Sequence, residues 1–290
     1  MVIYVKLVLT VIFWGGAFVV GRVVAPDMGP FSASFLRFFM ASLFLIALIF
    51  WQEGELPRLR RHQIIPAILL GMTGVFGLNV CFFNGMKTIA AGRASLIMST
   101  NVVFIALFSA LLFREKLNPG KIIGIALCLC GAIIVISRGN LLALFTGGVG
   151  QGELFIMGNV VCWVAYTLIG KAIMKDLTPL AAVTWSALIG TVALLPLALL
   201  ENITELSGGF SLTDWTGIFY LAFFATVLSF FWYYQGIQAI GLSRASVFMT
   251  LTPVIGIFLG WMFLGEAVNF SLLAGAALVI GGVYLTNRPR

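Results

Sequence analysis

The sequence predicts an all-α integral membrane protein, with ten transmembrane helices arranged as two inverted five-helix repeats. Three observations lead there: a composition too apolar for a soluble surface, apolar windows of spanning length along the chain, and an internal repeat at an offset of 149 to 151 residues. Of 290 residues, 61% are hydrophobic, 9% are charged and 32 are glycine. Mean hydropathy is +1.10. An ordinary soluble domain carries roughly 45–50% apolar and about 25% charged residues. With 17 basic and 10 acidic side chains, a folded soluble surface of this size would expose very large apolar patches. Those numbers exclude a nucleic-acid module, a secreted disulfide scaffold and a cytosolic enzyme. The net charge of +7 reads as basic residues retained on the cytoplasmic side. Cys81, Cys128, Cys130 and Cys162 lie inside apolar runs without a CxxC pair, so they read as small packing residues.

Crossing a hydrocarbon core ~30 Å thick takes about 20 apolar residues. Windows of that kind fall at 4–23, 31–51, 63–86, 93–113, 120–137, 153–174, 178–200, 214–239, 244–264 and 270–287. The first is a span and not a signal peptide, because its apolar run exceeds a typical h-region and no small-residue cleavage site comes after it. Pro26, Pro30, Pro57, Pro119, Pro179 and Pro289 fall at the proposed boundaries, where a missing N–H matters little. With the N-terminus cytoplasmic, the inside holds Lys6, Arg58, Arg60, Arg61, Arg114, Lys116, Lys121, Lys171, Lys175, Arg244, Arg288 and Arg290. The outside then holds only Arg22, Lys87, Arg93 and Arg138. This bias places both termini in the cytoplasm.

Trp14, Gly21 and Pro30 recur 149 residues later as Trp163, Gly170 and Pro179. At an offset of 151, Gly85 matches Gly236, Arg93-Ala94-Ser95 matches Arg244-Ala245-Ser246, and Glu115, Gly124 and Gly131 match Glu266, Gly275 and Gly282. An ordered series of this kind indicates a duplication. The repeats run over 1–137 and 153–290, joined by a linker at 138–152. Five spans per half is odd, so the halves lie in opposite orientations, an architecture of secondary transporters. The Arg114-Glu115-Lys116 loop falls inside, and its outside counterpart, Gly265-Glu266-Ala267, has lost both bases.

On these features the chain resembles the EamA-type transporters of the drug/metabolite transporter superfamily. The same holds for Trp-Gly-Gly-Ala-Phe at 14–18, the Gly-Met-Lys-Thr-Ile-Ala-Ala-Gly-Arg-Ala-Ser run at 85–95 and its partner at 236–246. Arg-Glu-Lys-Leu and Gly-Glu-Ala-Val, closing spans four and nine, are typical as well. The resemblance implies export of small metabolites, often amino acids or related compounds, across the inner membrane. One departure is Val102, where the repeat-equivalent of Pro253 would stand.

No acidic residue lies in the middle of a span, which disfavours proton coupling through a midplane carboxylate and disfavours strongly charged substrates. Glu115 and Glu266 read as interfacial residues pairing with nearby bases, and His62 closes a basic loop suited to anionic headgroups. Arg37 is the one charge within a span; it either snorkels, pairs with a helix-end carbonyl, or makes a charge contact with a substrate carboxylate. The cavity candidates are therefore polar and aromatic: Trp14, Asn79, Phe83, Asn101, Trp163, Tyr166, Tyr234 and Thr252. Trp14 and Trp163 are repeat-related and sit mid-span, as do Asn101 and Thr252. Asn159, Trp163, Tyr166 and Gly170 share one helical face, and Met72, Phe76, Asn79, Phe83 and Met86 share another. Phe230 and Tyr234 are their counterparts on span eight. Such a lining suits a small uncharged or zwitterionic, partly apolar solute. Gly120 with Gly124, and Gly256 with Gly260, read as close helix contacts.

The expected activity is alternating-access transport of a small metabolite, an aromatic or hydrophobic amino acid being the first candidate, by an exporter or facilitator. A metabolite importer or exchanger, for a vitamin or nucleotide-related compound, is the alternative. A membrane-embedded enzyme would need a Ser/His, paired-Asp or metal-ligand set at one depth, and the sequence offers none; a channel would need charged rings or a carbonyl filter. No cofactor, metal, catalytic residue or nucleic-acid partner is implied. The expected partners are a small-molecule substrate and the lipid bilayer of the bacterial inner membrane, and a monomer suffices.

Overall fold

The computed structural model describes residues 2–113, 119–137, 149–203, 209–242, 245 and 248–287. Six helices are long and apolar enough to cross a membrane: α1 (Val2–Val24), α2 (Pro30–Glu53), α3 (Arg61–Met86), α7 (Gln151–Ile173), α8 (Pro179–Leu200) and α9 (Leu212–Ile240). Between and after them lie shorter apolar helices: α4 (Ala91–Met98), α5 (Asn101–Phe113), α6 (Pro119–Ile136), α10 (Thr252–Leu264) and α11 (Phe270–Asn287). No strand occurs among the described residues. The protein is a multi-pass, all-helical membrane protein.

Local chemistry sets the helix ends. Pro30 and Pro179 open α2 and α8 after extended residues, and the Thr178 hydroxyl accepts from the Ala181 N–H. Ser211 and Asp214 form a capping box at the start of α9. Gly54 and Gly265, at φ 81° and 63°, terminate α2 and α10 in the left-handed region that a side chain would strain.

Two of the long helices widen into π-turns, at Gly71–Gly77 in α3 and Phe223–Leu228 in α9. Hydroxyls fill the widened turns of α9: Thr226 donates to Leu221 O at 2.8 Å and Ser229 to Phe224 O at 2.7 Å, both five residues back. The segment expected as one span at 93–113 is interrupted instead. α4 ends at Met98, Ser99 and Thr100 form a turn, and α5 starts at Asn101. A tight turn also precedes α10, at Met249–Leu251. The basic residues Arg114, Lys116, Arg138, Arg244, Arg288 and Arg290, together with Glu115, most of the linker at 138–148 and Ser246, lie outside the described residues.

Helices in lipid gain little from apolar burial alone and associate through small residues that let backbones approach. α6 packs on α11 in this way: a Cβ on Gly131 would stand 2.8 Å from the Gly275 carbonyl oxygen. α10 lies on α1 and α4, where Gly15 faces Ile255 and Gly256 faces Ser95. Side chains such as Val161, Val192, Leu200 and Phe263 point outward, 65–78% exposed, as expected of surfaces covered by acyl chains.

Different polar contacts hold the two ends of the bundle. At the Val24 end of α1, the Glu201 carboxylate accepts from Ser32 N–H (2.7 Å), Ser32 Oγ (2.8 Å) and Phe31 N–H (3.3 Å). There too Glu266 accepts from Ala91 and Gly92 N–H at 2.7 and 3.0 Å, and Arg93 pairs with Glu153 at 3.1 Å. Glu266 thus caps the backbone of α4, and its partners are amides where bases were expected. At the opposite end, Lys6 donates to Gln235 (2.8 Å) and Thr178 to Glu53 (2.7 Å), while His62 meets Asp176 at 3.4 Å.

Candidate functional site

At the centre of the bundle lies a cavity of about 70 Å³, bounded by α1, α2, α3, α4, α5, α7, α9 and α10. That is below the ~300–1,000 Å³ of typical small-molecule sites. One wall is aromatic. The indoles of Trp14 and Trp163 meet edge to face, centroids 5.1 Å apart at 82°, and Phe230 lies 6.1 and 5.5 Å from them. Trp14 is fixed by its N–H, which donates to Ala225 O in the α9 π-turn at 3.0 Å. The Trp163 N–H, 3% exposed as a residue, has no partner.

The opposite wall is polar. Ser95, Ser99 and Asn101 come from the interrupted helix pair α4–α5, and Thr252 stands at the start of α10. Both polar atoms of the Asn101 side chain and the Thr252 hydroxyl are buried without a hydrogen-bond partner, in residues only 1% and 6% exposed. Unsatisfied amides and hydroxyls are expensive in an apolar medium.

Arg37 enters the cavity from α2. The residue is 3% exposed; its guanidinium donates through Nε to Thr226 Oγ1 and through Nη1 to Asn79 Oδ1, both at 2.9 Å, and lies 5.4 Å from the Phe38 ring centroid. Asn79 is oriented for this by its own donation to Val75 O at 2.8 Å. Snorkelling and pairing with a helix-end carbonyl are both overturned: the charge turns inward, to side chains of α3 and α9.

A model of the EamA-like transporter family matches residues 1–137 and 150–288. The chain belongs to that family. Among similar proteins is the uncharacterized transporter YyaM of Bacillus subtilis (strain 168), 30% identical over 97% of this chain and 92% of its own. A probable amino-acid metabolite efflux pump of Salmonella typhimurium (strain LT2) is 28% identical over 96% of this chain and 92% of its own. A protein of known crystal structure shares the fold, with a TM-score of 0.66 and 21% identity over 96% of this chain and 94% of that one.

Of the residues expected in this EamA transporter's cavity, Trp14, Asn101, Trp163, Thr252 and Arg37 line it together. Asn79 stands one layer back, holding Arg37. Phe83, Tyr166 and Tyr234 do not line it. Phe83 is fully buried in the core beside Phe82, whose ring takes the lining position instead. The cause is the α3 π-turn, which adds a residue to the turn and rotates the rest of the helix beyond it. It breaks the expected face, leaving Met72 38% exposed while Asn79, Phe83 and Met86 are buried. Tyr166 and Tyr234 stack on each other behind the wall, centroids 5.3 Å apart, and the Tyr234 hydroxyl donates to Tyr166 O at 3.2 Å. Asn159 and Phe230, which the sequence places on the faces of Trp163 and Tyr234, do line the cavity. Phe18, Phe82, Ser95, Met98, Ser99 and Met249 were not singled out; the signal available for two of them was the hydrophilic Ser99-Thr100-Asn101 run in mid-span, with Ser95 one turn before it.

Proposed function

We propose that this EamA transporter moves a small metabolite, an amino acid or related compound, across the bacterial inner membrane by alternating access, as an exporter or facilitator. The observation that carries the reading is the central cavity, closed by Trp14 from one half of the chain and Trp163 from the other, with residues that carry unpartnered polar groups in its lining. Its occupant binds differently in two states and so biases their populations.

Two inverted five-helix repeats supply the two states in this reading. In support, two pairs of residues at the same 149-residue spacing meet each other: Trp14 with Trp163 at 5.1 Å, and Ser42 with Thr191 at 3.3 Å. Equivalent residues touch only where a twofold axis passes between them. The family match also comes in two segments, 1–137 and 150–288. The clasps at the Val24 end and at the Lys6 end would break alternately, with both termini cytoplasmic. The substrate class rests on the aromatic wall and on the name of the efflux-pump relative.

The test is transport by purified protein in liposomes across a panel of amino acids, with and without a pH gradient. Saturable counterflow of a panel member without any gradient supports facilitated alternating access. Strict dependence on a proton gradient overturns the facilitator, and no saturable flux of any solute overturns the transport reading.

A further inference from the structure

We infer that Arg37 is a carboxylate receptor, and that the cavity reads its solute by the carboxylate and not by an amino group. The inference rests on the transport reading and deepens it. A guanidinium has five N–H donors, and in this cavity only two hydrogen bonds hold it, to Thr226 and Asn79. Among the described residues no further acceptor meets the rest, and Arg37 is in no ion pair. Both of its partners are neutral, and the faces of Phe38 and Phe82 lie 5.4 and 6.0 Å from its central carbon. These contacts orient the charge without neutralising it. A buried charge without a counter-ion is costly in a membrane protein, and an arriving carboxylate removes that cost through charge-assisted, planar hydrogen bonds.

Three further features agree. Asn101 and Thr252 begin α5 and α10 just after breaks in regular helix, and both border the same cavity. Their side chains are themselves unpartnered there. Among the described residues the lining contains no Asp or Glu, so an ammonium group would arrive there without an anion to meet it. Finally, the charge belongs to one half only, because the residue 149 positions after Arg37 is Ser186, which lies against the Tyr166 hydroxyl at 3.4 Å. A zwitterion is held by its carboxylate end, and its des-amino analogue keeps every contact that matters.

The experiment is calorimetric titration of the protein in lipid nanodiscs with L-phenylalanine, 3-phenylpropanoate and L-phenylalaninamide, which share one apolar body. On wild type, 3-phenylpropanoate binds within roughly threefold of phenylalanine, and the amide binds at least ~tenfold more weakly, the loss expected for a charge-assisted contact. In Arg37→Gln the acid and the amide converge, and Arg37→Lys, which keeps the charge, restores part of the preference. Equal binding of acid and amide, loss of affinity on removing only the amino group, or binding of none of the three overturns the receptor role. Saturable liposome flux of a solute lacking a carboxylate leaves the transport reading standing while overturning this one. Because the comparison among the three probes is made on wild type, a variant that misfolds does not decide it.

Discussion

The indole rings of Trp14 and Trp163 meet edge to face with centroids 5.1 Å apart, although 149 residues separate them in the chain. Edge-to-face pairing places the positive rim of one ring on the negative face of the other. The pair is nonetheless unequal. Trp14 is tied to Ala225 O, and the buried Trp163 N–H has no partner. One ring is held by a hydrogen bond and the other is not.

Glu266 serves as the cap of a helix to which it does not belong. Its two oxygens accept the first N–H groups of α4, from Ala91 and Gly92, and a carboxylate also complements the positive end of that helix. Glu266→Ala is expected to lower stability by about 1–2 kcal/mol, the usual range for a lost cap, read as a drop in melting temperature in detergent. An unchanged melting temperature means that the contact contributes nothing.

Packing of α6 on α11 depends on glycine. Gly131→Ala puts a methyl 2.8 Å from Gly275 O and 2.9 Å from Val279, where backbone must move, and the expected destabilisation is about 1–3 kcal/mol. Gly281→Ala is the control in the same helix pair, since nothing lies within 4 Å of its Cβ position. If both variants melt alike, close approach is not what holds these helices.

The Arg93–Glu153 and His62–Asp176 pairs should behave differently. Arg93 and Glu153 are 17% and 8% exposed as side chains, and His62 and Asp176 are 61% and 49% exposed. Removing Arg93 strands a buried carboxylate, an expected loss of about 2 kcal/mol. Removing His62 is expected to have no measurable effect, because water and salt screen such pairs. Denaturation of Arg93→Ala and His62→Ala at low and high salt checks both; a larger effect for His62 reverses the assignment.

The residues legible in the sequence are those that duplication repeats. Trp14 with Trp163, and Asn101 with Thr252, stand out for that reason, and both pairs line one cavity. Asn159 was readable from its four-residue spacing to Trp163 along α7, which has no π-turn. Phe83 failed for the opposite reason, since the π-turn at Gly71–Gly77 shifts every later side chain of α3 and hands the lining to Phe82. The break at Ser99–Thr100 was hidden because hydropathy averages over a window, and the window stays apolar across it. Arg37 looked like a snorkelling residue because its depth along α2 is readable in sequence, whereas Asn79 and Thr226 reach it from other helices.

The most direct test of the transport cavity is flux through liposomes for wild type, Trp14→Ala and Trp163→Ala, with folding checked by size-exclusion profile. Each deletion removes part of the aromatic wall, so saturable transport of the best solute should fall at least ~tenfold in both variants while the protein stays monodisperse. Wild-type flux in both folded variants would contradict the assignment of this cavity as the path of the solute.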